Sequence, residues 1–191
     1  MVEKDIFEYL NAEIGNPIGA AALMGNLYAE SALNPLCANK AMQKYMETGK
    51  QYTDRINKDY TDAFCMDGIA YGIAQWYYPT RKRGLLEKAK NAHTSIGDIS
   101  IQLGYLIEEI KTYKSVYQAL VTATDIAQAS EIVMVKYEKP ANQSQAMKDR
   151  RTEYAKRYYN TYRKDPKNIT MTGNAARELL HKLEIGNIKE E

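Results

Sequence analysis

Cysteine is scarce, with only Cys37 and Cys65 in 191 residues. Two thiols build no disulfide framework, and neither cysteine nor histidine recurs at a zinc-binding spacing. Long apolar runs are missing too. No stretch reaches the ~20 residues needed to cross a bilayer, and the opening MVEKDIFEYL lacks the apolar core of a signal peptide. The chain is therefore expected to have no membrane span and no export route of its own. Charge of one sign is also lacking: 26 basic and 24 acidic residues leave a formal net charge of +2. They are intermixed, and no block reads as a nucleic-acid arm. The small positive excess suits an anionic polymer as well as it suits no partner. Phenylalanine and tryptophan are rare, two and one, yet tyrosine occurs 16 times. Rings with a polar tip favour half-wet surfaces such as carbohydrate clefts; a codon bias towards Tyr, Lys, Asn and Ile gives the same count.

The stretch PIGAAALMGNLYAESALNP, residues 17–35, is the one around which the rest is organised. Asn16 can cap a helix and Pro17 loses nothing at its first position. From Ile18 to Ala29 nearly every residue is apolar or small, and a helix apolar all round is a buried one. Gly19, Ala20, Ala21, Ala22 and Gly25 leave room for close approach on several sides. Asn34-Pro35 ends the helix, which puts Glu30 in or near its last turn. Desolvation and the helix C-terminal dipole both disfavour a carboxylate anion there. A carboxyl group that keeps its proton is what general acid catalysis needs; the competing reading is a surface residue past the helix end.

The remaining pattern is mainly helical. An amphipathic helix over 2–14 precedes the buried one, and a short helix over 39–47 follows it. Residues 51–78 mix aromatic and branched side chains such as Tyr52, Tyr60, Phe64, Ile69 and Ile73 with Thr, Asp, Asn and Gly, which predicts a small hairpin or an aromatic loop. Further helices are expected over 81–91, 99–113, 115–122, 126–138 and 144–163, with Asp98 and Asp125 as caps. On the first of these, Leu85, Leu86 and Ala89 face inward and Arg81, Lys82, Arg83, Lys88 and Lys90 outward. Asp165-Pro166 closes this domain, so 1–163 is expected to be one domain and 164–191 a linker with an amphipathic helix over 173–185.

The pieces GNLYAESALNP (25–35), DGIAYGIAQW (67–76), RKRGLLEKAK (81–90), IQLGYLIEEI (101–110), VMVKYEKP (133–140) and RRTEYAKRYY (150–159) occur in an order that resembles the phage tail lysozyme family of the lysozyme-like superfamily. The resemblance covers roughly residues 6–162. It implies a mainly α, α+β lysozyme-like fold: a buried central helix ending in the catalytic Glu, a small irregular or β lobe, and a helical C-terminal lobe. It further implies cleavage of the β-1,4 bonds of peptidoglycan, with Glu30 standing where the family has its catalytic glutamate and Ser31 next to it at the site. YGIAQW looks like the Gly-Leu-x-Gln motif of lytic transglycosylases and goose-type lysozymes, which makes Tyr71 and Gln75 cleft residues. Trp76 is read either as a ring that stacks on a sugar or as a core plug. Tyr137 falls where related transglycosylases carry a tyrosine near the acid, and is otherwise a packed helical residue.

Glycosidases usually need two carboxyl groups. Asp62, Asp67 and Glu138 are the candidates, and Asp67 precedes the motif on a loop from which it can hold a water. Its Asp-Gly sequence is also a turn signature in its own right. Glu138 can instead tie basic residues of the last helix into place. Without a second carboxylate the same acid supports lytic transglycosylation, in which a hydroxyl of the substrate attacks. No metal or organic cofactor is expected, because protonating a glycosidic oxygen needs only placed carboxyl chemistry. The expected partner is the glycan strand of peptidoglycan, with further modules of a longer tail or endolysin protein as an open alternative. Such a phage product is made in the host cytoplasm and acts on the wall. Two rivals stand beside this: a thiol peptidase or amidase using Cys65 or Cys37 with His93, and a non-catalytic wall-binding or structural helical domain.

Overall fold

The computed structural model describes residues 2–163. They form ten α-helices and one π-helical turn: α1 Glu3–Ile14, α2 Pro17–Ser31, α3 Asn39–Tyr45, α4 Gly49–Asp59, α5 Ala63–Met66, α6 Pro79–Asn91, α7 Ile99–Thr112, α8 Lys114–Val121, α9 Ile126–Val133, the π-turn Met134–Glu138 and α10 Gln145–Tyr162. The protein is mainly α. The helix anticipated over 173–185 lies outside the described residues.

Two compact units divide the described residues, one of 2–25 and 114–163, the other of 26–113. In the first, α10 packs on α9 and α1, and α8 on the same two helices. Asn16 starts α2 as expected: its Oδ1 accepts from the N–H of Ile18 and Gly19 at 2.9 and 3.2 Å, while its Nδ2 donates to the carbonyls of Val121 and Ala123. The small residues also do what their size suggested. A Cβ at Gly19 would meet the Leu120 carbonyl oxygen at 2.1 Å, and one at Gly25 the Ala155 nitrogen at 2.6 Å. These backbones touch because no side chain separates them. Ala20 to Leu27 are fully buried, and Leu23, Met24 and Leu27 each contribute roughly 1.5–3 kcal/mol by leaving water. On α10, Arg151, Ala155 and Tyr158 form the buried stripe at helical spacing.

In the second unit α3 packs on α4, and α6 on α5 and α7. Thr48 caps α4, with Gln51 returning its side-chain oxygen to the Thr48 N–H at 2.9 Å. Asp98 caps α7 through the N–H of Ser100 and Ile101. Asp125 does the same for α9, in the first unit, through Gln128.

The stretch from residue 51 corrects one expectation. Up to Met66 it is helical, and the only strand-like pairing among the described residues is a single antiparallel bridge, Tyr71 with Trp76. Tyr52, Thr53 and Ile56 are the inward face of α4. Spaced by polar residues, they resemble strand alternation, but their period is that of a helix.

A second correction concerns Lys82 on α6. It points inward, fully buried, and Arg81 is mostly buried as well.

Candidate active site

The end of α2 is the starting point. Glu30 is its penultimate residue and half-buried, and Ser31 closes it. Two successive residues then adopt left-handed backbone, Ala32 at φ 52° and Leu33 at φ 60°. Neither is glycine, so each carries roughly 1–2 kcal/mol of strain. Asn34 stops the chain from running on, its Oδ1 accepting from Leu36 N–H and its carbonyl from Cys37 N–H.

The turn between Tyr71 and Trp76 lies against this helix end. Ser31 Oγ donates to the Ile73 carbonyl at 2.9 Å and lies 3.1 Å from the Leu27 carbonyl. The Cys37 carbonyl accepts from Gly72 N–H at 2.9 Å and from Gln75 Nε2 at 3.2 Å; Nε2 also reaches the Gly72 carbonyl at 2.8 Å. Gln75 is itself left-handed, φ 46°, and so is Gly72 at φ 76°. At Gly72 a side chain is barred twice over, since a Cβ would stand 2.7 Å from Gln102 Oε1. Four left-handed residues thus converge at one place, and stored strain of this kind concentrates where structure serves a function.

Glu30 acts electrostatically on the same group. Burial pushes the Cys37 thiol up, the Asn39 backbone and the Gln75 amide pull it down, and the Glu30 charge adds to the rise. Gln75 meets the Cys37 segment directly, through its amide on the Cys37 carbonyl. Buried Gln102 fastens the set from α7, accepting from Ile73 N–H at 2.9 Å and donating to the carbonyls of Pro35 and Ile96.

The other expected site residues are placed differently. Ser31 is buried, with its hydroxyl held among the Leu27 and Ile73 carbonyls rather than offered to a ligand. Tyr71 and Trp76 are fully buried. Tyr71 shares a 2.6 Å hydrogen bond with Thr53, and Trp76 Nε1 donates to Glu109 at 2.9 Å. Neither ring has a face available to a sugar, so the core-plug reading of Trp76 is the one its burial supports. Glu109 in turn takes Arg81 in a two-pronged ion pair at 2.7 and 2.9 Å. Tyr137 is buried on the π-turn of the first unit.

Asp67 is enclosed. Its side chain is 6% exposed; Lys82 Nζ donates to Oδ1 at 2.6 Å, Ile69 N–H to Oδ1 at 2.9 Å, and Tyr52 O–H to Oδ2. Lys82 also donates to the Ile69 carbonyl and stands 4.1 Å from the centre of the Phe64 ring. Burial lowers the proton affinity of Lys82 while Asp67 raises it, and burial together with Asp67 pushes the Tyr52 phenol up. The Asp-Gly turn chemistry is thus present, since Asp67 closes the turn onto Ile69. Asp62 is exposed and pairs with Arg83 at 3.0 Å.

Lys82, Gln102 and Glu109 were not singled out by the sequence reading. A signal for two of them existed: Gln102, Leu106 and Glu109 recur at helical spacing on the inward stripe of α7, and a polar side chain on such a stripe needs a buried partner. The thiol rival fares poorly on chemistry. Burial pushes both Cys37 and Cys65 up, which withholds the reactive thiolate, and His93 sits exposed at a turn. Among the described residues no group of three His, Cys, Asp or Glu side chains is placed to hold a metal ion, and no helix is long and apolar enough to cross a membrane.

A mainly helical chain whose described residues hold a single strand-like bridge fits the lysozyme-like class. The chain belongs to the phage tail lysozyme family, whose model matches residues 1–162 of the 191. No curated protein and no solved structure matches it. Family membership supports a lysozyme-like, peptidoglycan-lytic function, with peptidoglycan as the substrate.

Proposed function

We propose that the protein is a peptidoglycan-cleaving glycosidase that cuts the β-1,4 bond between MurNAc and GlcNAc, with Glu30 as general acid. The observation that carries this is the seat of Glu30: half-buried, in the last turn of α2, next to Ser31, whose hydroxyl holds the turn that carries Gln75. In this reading the Glu30 carboxyl donates its proton to the bridging oxygen as the C1–O bond breaks, and a water completes hydrolysis at C1. Gln75 stands by to position hydroxyl or acetamido groups, since an amide both donates and accepts.

A second reading is favoured by Asp67. Its two oxygens are already engaged by Lys82, Ile69 and Tyr52, so holding a catalytic water would require breaking a buried ion pair. A single acid suffices for lytic transglycosylation. There the C6 hydroxyl of the MurNAc residue attacks C1, its proton passes to the Glu30 carboxylate left by the first step, and a 1,6-anhydro sugar forms. Asp67 then serves the architecture of the loop. Either way, the protein acts on the bacterial wall after synthesis in the host cytoplasm, alone or as one module of a longer tail or endolysin protein.

Turbidity clearing of purified peptidoglycan by wild type, Glu30→Gln and Cys65→Ser tests the assignment. Glu30→Gln abolishes clearing with the fold intact and Cys65→Ser changes nothing; full activity in Glu30→Gln removes the proposal. Mass spectrometry of the released muropeptides separates reducing ends from anhydro ends, and so hydrolysis from transglycosylation.

A further inference from the structure

Tyr77 and Tyr78 are consecutive, large and exposed, 48% and 60%, in a segment whose other rings, Tyr71 and Trp76, are fully buried. Their rings stand edge to face, centroids 5.8 Å apart. The backbone is fixed on both sides of them. Trp76 is tied by the bridge to Tyr71, and Tyr78 is the N-cap of α6 with Pro79 at its first position. Rigid rings lose little conformational freedom when something stacks on them. Tyr78 is the third residue after Gln75, a reach of at most ~11 Å, so the pair lies within a short distance of the proposed cleft residue. The first turn of α6, which follows Tyr78 directly in sequence, and α7 border an open groove of about 360 Å³, lined by Thr80, Arg81, Tyr105, Glu108, Glu109, Thr112 and Tyr113. Aromatic surface combined with hydroxyl and charged groups matches a sugar, which presents an apolar face and a polar rim.

Resting on the glycan-cleaving reading above, we propose that Tyr77 and Tyr78 form a stacking platform for N-acetylhexosamine rings of the glycan strand outside the pair that flanks the scissile bond, with the α6–α7 groove receiving their polar edges. The platform binds and orients the strand; it takes no part in bond breaking. Sugar stacking, one of the two readings of Trp76, moves to the next two residues along the chain.

The test uses the full chain carrying Glu30→Gln, so that binding is measured without turnover. Cosedimentation with purified insoluble peptidoglycan and titration with soluble GlcNAc oligomers are compared among this protein, the same protein with Tyr77→Ala and Tyr78→Ala, and the same protein with both tyrosines changed to Phe. The platform predicts about tenfold weaker binding for the double Ala variant, in line with loss of aromatic anchors, and recovery in the double Phe variant. In the catalytically intact background, the double Ala variant raises KM for long strands with kcat little changed. Unaltered glycan binding in the double Ala variant overturns the platform while leaving the cleavage reading in place. Loss of self-association in that variant, seen by sedimentation velocity with glycan binding unchanged, also overturns it and assigns the rings to a contact between copies. A wild type that neither binds nor clears peptidoglycan removes both readings.

Discussion

Ser31 and Ile73 are joined by a hydrogen bond from hydroxyl to carbonyl at 2.9 Å, which attaches the turn carrying Gln75 to the end of the helix carrying Glu30. The two segments lie 42 residues apart in sequence. A contact between such distant segments defines a site only if its geometry is held.

Ser31→Ala removes that attachment and leaves the Ile73 carbonyl without this donor. The expected cost is about 0.5–1.5 kcal/mol in stability by urea denaturation. Clearing of peptidoglycan should fall by up to about 10²-fold, because small misplacements at a reacting centre are expensive. A less stable variant with undiminished clearing would show the bond to be merely structural.

Lys82→Met strands the Asp67 carboxylate in a dry place, and about 3–5 kcal/mol of stability should be lost. Adding Asp67→Asn to Lys82→Met removes the stranded charge and should recover part of that loss. A double-mutant cycle checks this. Strictly additive single effects below 1 kcal/mol each, by the same denaturation assay, would mean the pair is not coupled in solution.

Alkaline pH should unfold the protein early. Burial raises the phenols of Tyr52 and Tyr71 above their ordinary value of 10.0. The folded state therefore keeps two protons that the unfolded chain sheds, so their contribution is intact below pH 10 and is lost progressively above it. Each contributes a slope of roughly 1.4 kcal/mol per pH unit. Lys82 works the other way, since its lowered affinity lets stability rise with pH just below 10.5. One lysine does not offset two tyrosines. Circular dichroism melts from pH 8 to 11 should show the midpoint falling past pH 10, and Tyr52→Phe should soften the fall.

Two glycines should respond to alanine with opposite signs. Gly25→Ala drives a Cβ to 2.6 Å from the Ala155 nitrogen, against backbone that cannot step aside. Overpacking of this kind costs about 1–3 kcal/mol, more than the ~0.5–1 kcal/mol that alanine gains in a helix. At Gly104 the nearest atom is the Lys88 Cε at 3.1 Å, the far part of a flexible side chain. There the helix gain should dominate, and thermal melts of the two variants decide it.

The helices were legible because their signals are local. Asn16-Pro17, Asp98 and Asp125 announce starts, and the glycines of α2 announce close approach before any partner is known. What escaped depends on distant partners. Tyr71 disappears into the interior because Thr53 meets its hydroxyl, Trp76 because Glu109 meets its indole nitrogen, and Lys82 because Asp67 waits for it. Polar rings and a lysine are ordinarily surface residues until such partners exist. The expected strand alternation around Tyr52 failed for the same reason: aromatic residues among polar ones fit either period, and the contacts that choose lie elsewhere in the chain. Of the candidate site, the place of Glu30 in the last turn of α2 was legible, because Asn34-Pro35 marks the helix end locally.

The left-handed pair Ala32 and Leu33 has a consequence for the family history of such a chain. At exposed Ala32 glycine would relieve the distortion at little cost, whereas at Leu33 it would empty a buried position worth roughly 1.5–3 kcal/mol, more than the strain it removes. Keeping side chains there instead makes the exit from α2 stiff. Interior packing of Leu33, not an easy backbone, fixes the direction in which the chain leaves this helix.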